Sequence, residues 1–130
     1  VVDISRTFTK ILEVNESESW VRMQPGVVRD ELNVFLKKYG LFFGPETSTA
    51  NRAMMGGMVG NNSCGSNSII YGSTRDHLME VKGFLSDGSY VTFADLTKDE
   101  FNDQFQEAKS KSEPSLEDKV YVHIGELLSN

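Results

Sequence analysis

The residues able to do chemistry in this sequence crowd between Gly44 and His77, which reads GPETSTANRAMMGGMVGNNSCGSNSIIYGSTRDH. Five of the chain's 11 glycines fall between Gly56 and Gly72, beside Asn61, Asn62, Ser63, Ser66, Asn67 and Ser68, and no charged residue occurs from Ala53 to Thr74. Glycine permits positive φ and close approach of backbone to a ligand, so such a run suits the presentation of N–H and C=O groups. It is also too long for a simple connector. The interleaved Met54, Met55, Met58, Val59, Ile69, Ile70 and Tyr71 need burial, which argues for an ordered loop with a short helix. A ligand there would be neither strongly anionic nor metallic. A planar aromatic cofactor with its own carbonyl and N–H edges matches, and a purely structural Gly-rich loop matches equally.

Around that neutral run the titratable candidates are few. Glu46 either bonds ligand hydroxyls or faces solvent in a turn. Arg75-Asp76 is a phosphate-facing cation with its neighbour, or a turn-anchoring pair. His77 beside Asp76 has the wording of an acid–base pair, but His123 lies far along the chain and neither histidine has metal-site spacing. His77 is expected to begin a strand and to bond backbone. Tyr71 ends an apolar run, which favours packing with a satisfied hydroxyl over general-base work. Cys64, the single cysteine, excludes an internal disulfide, suits a reducing compartment and reads as a small apolar filler. No P-loop, nucleophile elbow or zinc pattern is present, and the Asn61-Asn62-Ser63 sequon has no force without a secretory leader.

Short elements must position these groups. Val1–Ser5, Ile11–Val14 and Trp20–Met23 read as strands, with Asn15–Ser19 as a hairpin loop. Val28, Leu32, Phe35, Leu36 and Tyr39 form one apolar stripe of a helix, which Gly40 should end as a left-handed cap. Leu41–Phe43 reads as a strand leading into the Gly-rich segment. Leu78–Leu85 and Tyr90–Phe93 flank Asp87-Gly88, a hairpin signal. Thr97 with Glu100 and Ser115 with Asp118 are capping boxes that open two tail helices. The fold class expected is α+β, a mainly antiparallel sheet flanked by helices.

Composition bounds the rest. A chain of 130 residues, 38% hydrophobic and 25% charged, suits one globular domain. The net charge of −6 argues against a nucleic-acid partner, which calls for a basic patch. The charge is uneven, with 9 acidic and 4 basic residues in 95–130. No run of apolar residues is long enough to span a membrane, and no basic-then-apolar leader opens the chain. A cytoplasmic protein is expected, peripheral at most to the inner face of the membrane. The start at Val1-Val2, without Met and inside an apolar run, is read as that of an excised piece.

An ordered series of motifs carries a family resemblance: Trp20–Gly26 (WVRMQPG), Phe43–Ser48 (FGPETS), Gly56-Gly57, Asn61–Gly65 and Tyr71–Asp76 (YGSTRD). Together they resemble the second half of the FAD-binding domain of the vanillyl-alcohol oxidase / p-cresol methylhydroxylase flavoproteins. The wording is most similar to the FAD-linked oxidase branch that includes D-lactate dehydrogenases and the glycolate oxidase flavin subunit. ANRAMMGGMVGNNSCGSNS is similar to large members fused to an iron–sulfur module. The resemblance covers roughly residues 1–94. It implies a second FAD-binding subdomain over 1–96 with a helical extension of the same domain over 97–130. It implies flavin contacts from Pro45, Glu46, Thr47 and Ser48, and a Gly56-Gly57 passage close to the pyrophosphate and ribityl chain. Asn61, Asn62, Cys64 and Gly65 would lie beside the isoalloxazine, and Tyr71 and Gly72 would close the pocket. Members oxidise a substrate carbon, often the α-carbon of a 2-hydroxy acid, by hydride transfer to FAD.

The same resemblance implies partners within one polypeptide: a pyrophosphate-loop subdomain before residue 1 and a substrate-binding cap domain after residue 130. No residue matches the family's covalent flavin-linking His, and no catalytic residue is assigned to this stretch. The chain by itself is expected to be inactive. The competing class is a non-catalytic α+β binding or scaffold module whose Gly/Asn loop meets a protein partner.

Overall fold

Ile11–Asn15 (β1) and Trp20–Met23 (β2) pair antiparallel, Val14 opposite Val21 and Asn15 opposite Trp20, with an irregularity between Ile11 and Glu13. The polar loop closes on Asn15, whose Oδ1 accepts from the Glu18 amide at 3.0 Å and the Ser17 hydroxyl at 2.8 Å. A computed structural model describes residues 3–129. Of the expected first strand, Val1 and Val2 lie outside the described residues. Asp3–Ser5 does not form a strand, because the Thr7 and Phe8 amides both turn back to the Ile4 carbonyl.

Arg29–Leu36 (α1) follows the predicted stripe. Leu32 and Leu36 are buried with Val27, Met55 and Met58, and Phe35, Tyr39, Val14 and Val21 pack against them. Each fully buried Leu or Met is worth roughly 1.5–3 kcal/mol of removal from water, so this cluster is the main support of the site. Lys37–Tyr39 tightens into a 3₁₀ turn and Gly40 ends it at φ 68, as expected of a left-handed cap. Met55–Gly60 (α2) is docked beside α1 by an antiparallel bridge, Val28 to Met54.

Three expectations for this region are corrected. Leu41–Phe43 joins no ladder. The Asn33 side chain takes both backbone groups of Phe43, accepting its N–H at 2.7 Å and donating to its carbonyl at 3.1 Å. Ile69 and Ile70 are not buried either, at 97% and 76% exposed. They sit on the single helical turn Ser68–Tyr71 (α3), in a loop anchored by polar bonds instead of by burial. Thr74–His77 coils into a second 3₁₀ turn, so His77 begins no strand.

The chain divides into two compact units, Val1–Leu78 and Met79–Asn130. In the second, Glu80–Phe84 (β3) pairs antiparallel with Tyr90–Ala94 (β4). Gly88 takes φ 84 in their turn, and Asp87 Oδ1 accepts from the Ser89 amide and hydroxyl. Lys98–Ser110 (α4) and Leu116–Leu128 (α5) start at the two capping boxes read from the sequence. Gly125 lets them meet closely, since a Cβ there would collide with the Phe105 ring. Tyr121 lies 6.4 Å from the Phe93 ring and 6.0 Å from the Phe101 ring, which ties α5 to the hairpin and to α4. Burial, with Glu117 nearby, raises the Tyr121 phenol pKa. The class is α+β. The pairing is antiparallel, as expected, but each unit carries its own two-stranded ladder in place of one sheet. Among the described residues no helix is long and apolar enough to cross a membrane.

Candidate functional site

One wall of the site is the loop from Phe43 to Ala53. The Arg29 side chain, 14% exposed, donates from Nε to the Pro45 carbonyl at 3.1 Å and from Nη2 to the Phe43 carbonyl at 3.3 Å. Pro45 itself is fully buried. Beyond it Thr47 builds a small turn, its Oγ1 accepting the Thr49 amide at 3.1 Å. The Thr49 carbonyl then accepts the Ala53 amide at 2.8 Å and the Arg52 amide at 2.9 Å. Ser48 is exposed at the tip.

The facing wall runs from α2 into the Asn-rich loop. The two glycines of the pair do different things. Gly56 abuts Pro25, where a Cβ would come within 2.6 Å of the proline Cβ, whereas a Cβ on Gly57 would meet nothing within 4 Å. Asn62 takes φ 45, a conformation asparagine tolerates better than most residues. Its Oδ1 accepts the Arg75 amide at 3.0 Å. Asn61 donates to the Ser63 hydroxyl at 3.1 Å. Thr74, 2% exposed, fastens the loop by donating both its hydroxyl and its amide to the Ser63 carbonyl, at 2.7 and 3.0 Å.

The two walls are latched together at one end. Asn67 donates to Glu46 Oε2 at 2.8 Å, and Gly65 passes so close to the Glu46 carbonyl that a Cβ would collide with it. The Glu46 carboxylate is therefore engaged across the two loops.

Between the walls lies a cleft of about 290 Å³, lined by Thr47, Thr49, Ala53, Met54, Gly57, Met58, Asn61, Ser63 and Cys64. It brings together Thr47, Gly57, Asn61 and Cys64 of the residues singled out from the sequence. Pro45, Glu46, Gly56, Asn62 and Gly65 are in the supporting shell just described, while Ser48, Tyr71 and Gly72 are outside the lining. Tyr71 packs edge-on to Phe42 at 5.4 Å and against Gly44. Gly72, at φ 70, abuts Asp76. Sequence reasoning missed Thr49, Ala53, Met54, Met58 and Ser63 as lining. The Thr47-x-Thr49 spacing of a side-chain turn was a usable signal for Thr49; Met54 is tied to Val28 by their bridge and Ser63 to Thr74 through its carbonyl, contacts that no local pattern reports.

No charged side chain lines the cleft among the described residues, and no cluster of three His, Cys, Asp or Glu suits a metal. The hydroxyls of Thr47, Thr49 and Ser63 and the Asn61 amide supply donors and acceptors, and Met54, Met58 and Ala53 supply an apolar floor. Such a surface recognises a neutral group with polar edges. His77 donates from Nε2 to the Tyr71 carbonyl at 2.6 Å and stacks edge-on with Phe43, so it bonds backbone as expected. Asp76 caps the Thr74–His77 turn by accepting from the Ser73 amide and hydroxyl, which hold its carboxyl pKa below the ordinary value. Arg75 is exposed beside it. Cys64 is no buried apolar filler but a free, exposed thiol at the cleft edge.

A family described as "FAD binding domain" matches residues 1–94. The chain is 50% identical over 91 residues to a D-2-hydroxyglutarate dehydrogenase of Haemophilus influenzae, covering 70% of this chain and 9% of that protein. It is 32% identical over 91 residues to the mitochondrial D-lactate dehydrogenase [cytochrome] of Kluyveromyces lactis, 70% of this chain and 16% of the relative. It is 30% identical over 100 residues to the glycolate oxidase subunit GlcD of Bacillus subtilis, 76% of this chain and 21% of the relative. The chain thus spans about a tenth of the length of the first relatives it matches.

Proposed function

The chain belongs to the FAD binding domain family, with FAD as its cofactor, and from that premise we propose that it forms part of the flavin site of a longer 2-hydroxy acid dehydrogenase. The observation that carries the proposal is the neutral cleft between Thr47–Ala53 and Gly57–Cys64. Its lining suits FAD only in part. At about 290 Å³ it is at the small end of ligand pockets, and it offers no cation to a diphosphate. It therefore takes an uncharged portion of the cofactor, ring or ribityl chain, and leaves the diphosphate to other parts of the polypeptide.

When bound, FAD supplies the two-electron chemistry: the α-carbon hydride of the 2-hydroxy acid goes to the flavin, the hydroxyl proton to a base, and a 2-oxo acid is left. The residues of this chain bind and orient. Thr47, Thr49, Asn61 and Ser63 hydrogen-bond the edges of the bound portion, Gly57 lets it approach the α2 backbone, and Met54, Met58 and Ala53 keep water from its face. Pro45, Glu46 and Gly65 hold the two walls at their separation. Substrate recognition and proton removal fall to the cap domain that the longer polypeptide supplies, and an iron–sulfur module is a candidate route for the electrons. The relatives' names give the substrates to try: D-2-hydroxyglutarate, D-lactate and glycolate.

The test is an absorption spectrum of the purified full-length gene product. A flavin band that bleaches on addition of one of these acids is expected. A folded, colourless protein that gains no band with added FAD would overturn the proposal.

A further inference from the structure

We infer that Arg29 is a positioning residue for the flavin-facing wall, acting through the two backbone carbonyls it bridges and not through its charge; this inference rests on the flavin reading above. The loop Phe43–Ala53 belongs to no ladder, yet it carries Thr47, Thr49 and Ala53 into the cleft. Something other than sheet pairing must hold it, and apart from the Glu46–Asn67 latch the holding comes from one turn of α1. At the near end, Arg29 donates to the carbonyls of Pro45 (3.1 Å) and Phe43 (3.3 Å). One turn along, Asn33 takes the Phe43 N–H (2.7 Å) and donates to the same carbonyl (3.1 Å), so its amide stands in for a neighbouring strand. At the far end, the Arg29 amide donates to the Ala53 carbonyl at 2.9 Å and the Asp30 amide to the Ala50 carbonyl at 3.2 Å. Arg29 is the one of these residues that grips both ends of the loop.

Its charge is already answered. Nη1 donates to Asp30 Oδ1 at 2.9 Å, and the guanidinium is absent from the cleft lining. What remains is geometry: a planar fork that satisfies two carbonyls and a carboxylate at once, which the single ammonium of lysine cannot reproduce. A lysine keeps the field felt by an anionic cofactor and loses the grip on the wall.

The experiment compares the full-length gene product with its Arg29→Lys variant, reading FAD dissociation constant, visible circular dichroism of the bound flavin, and thermal midpoint. The variant should bind FAD about tenfold more weakly, or ~1.4 kcal/mol, with an altered flavin dichroism at temperatures where it remains folded. Asn33→Asp, which drops one donor to Phe43 and keeps the acceptor, should shift the same readouts in the same direction and stands in if Arg29→Lys does not fold. FAD affinity within about twofold of the unchanged protein together with unchanged dichroism, in whichever variant is read, would overturn the positioning role and leave the flavin reading intact. An unchanged protein that binds no FAD would overturn both.

Discussion

A methyl group added at Gly56 and one added at Gly57 should have opposite consequences, although the residues are neighbours on one helix turn. At Gly56 the new Cβ would come within 2.6 Å of Pro25 Cβ and 3.2 Å of the Pro25 carbonyl. Neither can swing aside, because the Pro25 carbonyl also accepts the Gly56 amide at 2.8 Å. Overpacking of this kind costs about 1–3 kcal/mol, more than the roughly 0.5–1 kcal/mol that alanine gains over glycine in a helix. Gly56→Ala should lower the thermal midpoint. Gly57→Ala meets open space, so the helix term acts alone and the midpoint should hold or rise. The same methyl stands in the cleft, and FAD affinity of the full-length product should fall. Equal midpoints for the two variants would contradict this division of labour, and unchanged affinity in Gly57→Ala would remove Gly57 from the binding surface.

The element that best displays its own logic is α5. Asp118 accepts Lys111 Nζ at 2.8 Å, the Ser115 hydroxyl at 2.7 Å and the Ser115 amide at 2.9 Å. Lys111 first, then Ser115, brings its carboxyl pKa down from 3.8 to about 2. A carboxylate depressed by folding stabilises fully above its unfolded value and loses that contribution as pH falls through its folded value. Asp118→Asn should therefore melt earlier than the unchanged chain at neutral pH, and the difference should close between pH 3.8 and about 2. A gap that is the same at pH 7 and pH 2 would mean that the charge is not what matters. This cap was legible in the sequence because its partners lie three residues apart, as were the Thr97 cap, the Gly40 terminus and the Asp87-Gly88 turn. Leu41–Phe43 has the pattern of a strand and is not one because both backbone groups of Phe43 are taken by side chains ten or more positions upstream, which no local pattern reports. The outward facing of Ile69 and Ile70 escaped for a related reason. Their loop is held by Glu46, Ser63 and Asn62, whose bonds to Asn67, Thr74 and Arg75 span 11 to 21 residues.

At the scale of the whole molecule, what the cleft lacks decides what the chain can do by itself. The cleft lining is neutral, and the residues beyond position 94 carry 9 acidic against 4 basic side chains, so neither offers compensation to an anionic diphosphate. An ionised phosphate left without cations or aligned N–H donors has little reason to leave water. Nor does the lining hold a carboxylate or imidazole to take the hydroxyl proton of a 2-hydroxy acid, which oxidation requires as surely as a hydride acceptor. The 130-residue chain, mixed with FAD, should therefore lose it on dialysis. It should reduce no dye with D-2-hydroxyglutarate, D-lactate or glycolate above the protein-free rate, while the full-length product does so with at least one. Retention of FAD by the isolated chain would require the exposed Arg52 or Arg75 to turn to the diphosphate, and replacing each by Gln would show which. Turnover by the isolated chain would go further. It would demand a base within reach of the cleft, where the one titratable lining side chain is the Cys64 thiol, while Glu46 is engaged with Asn67 and His77 with the Tyr71 carbonyl.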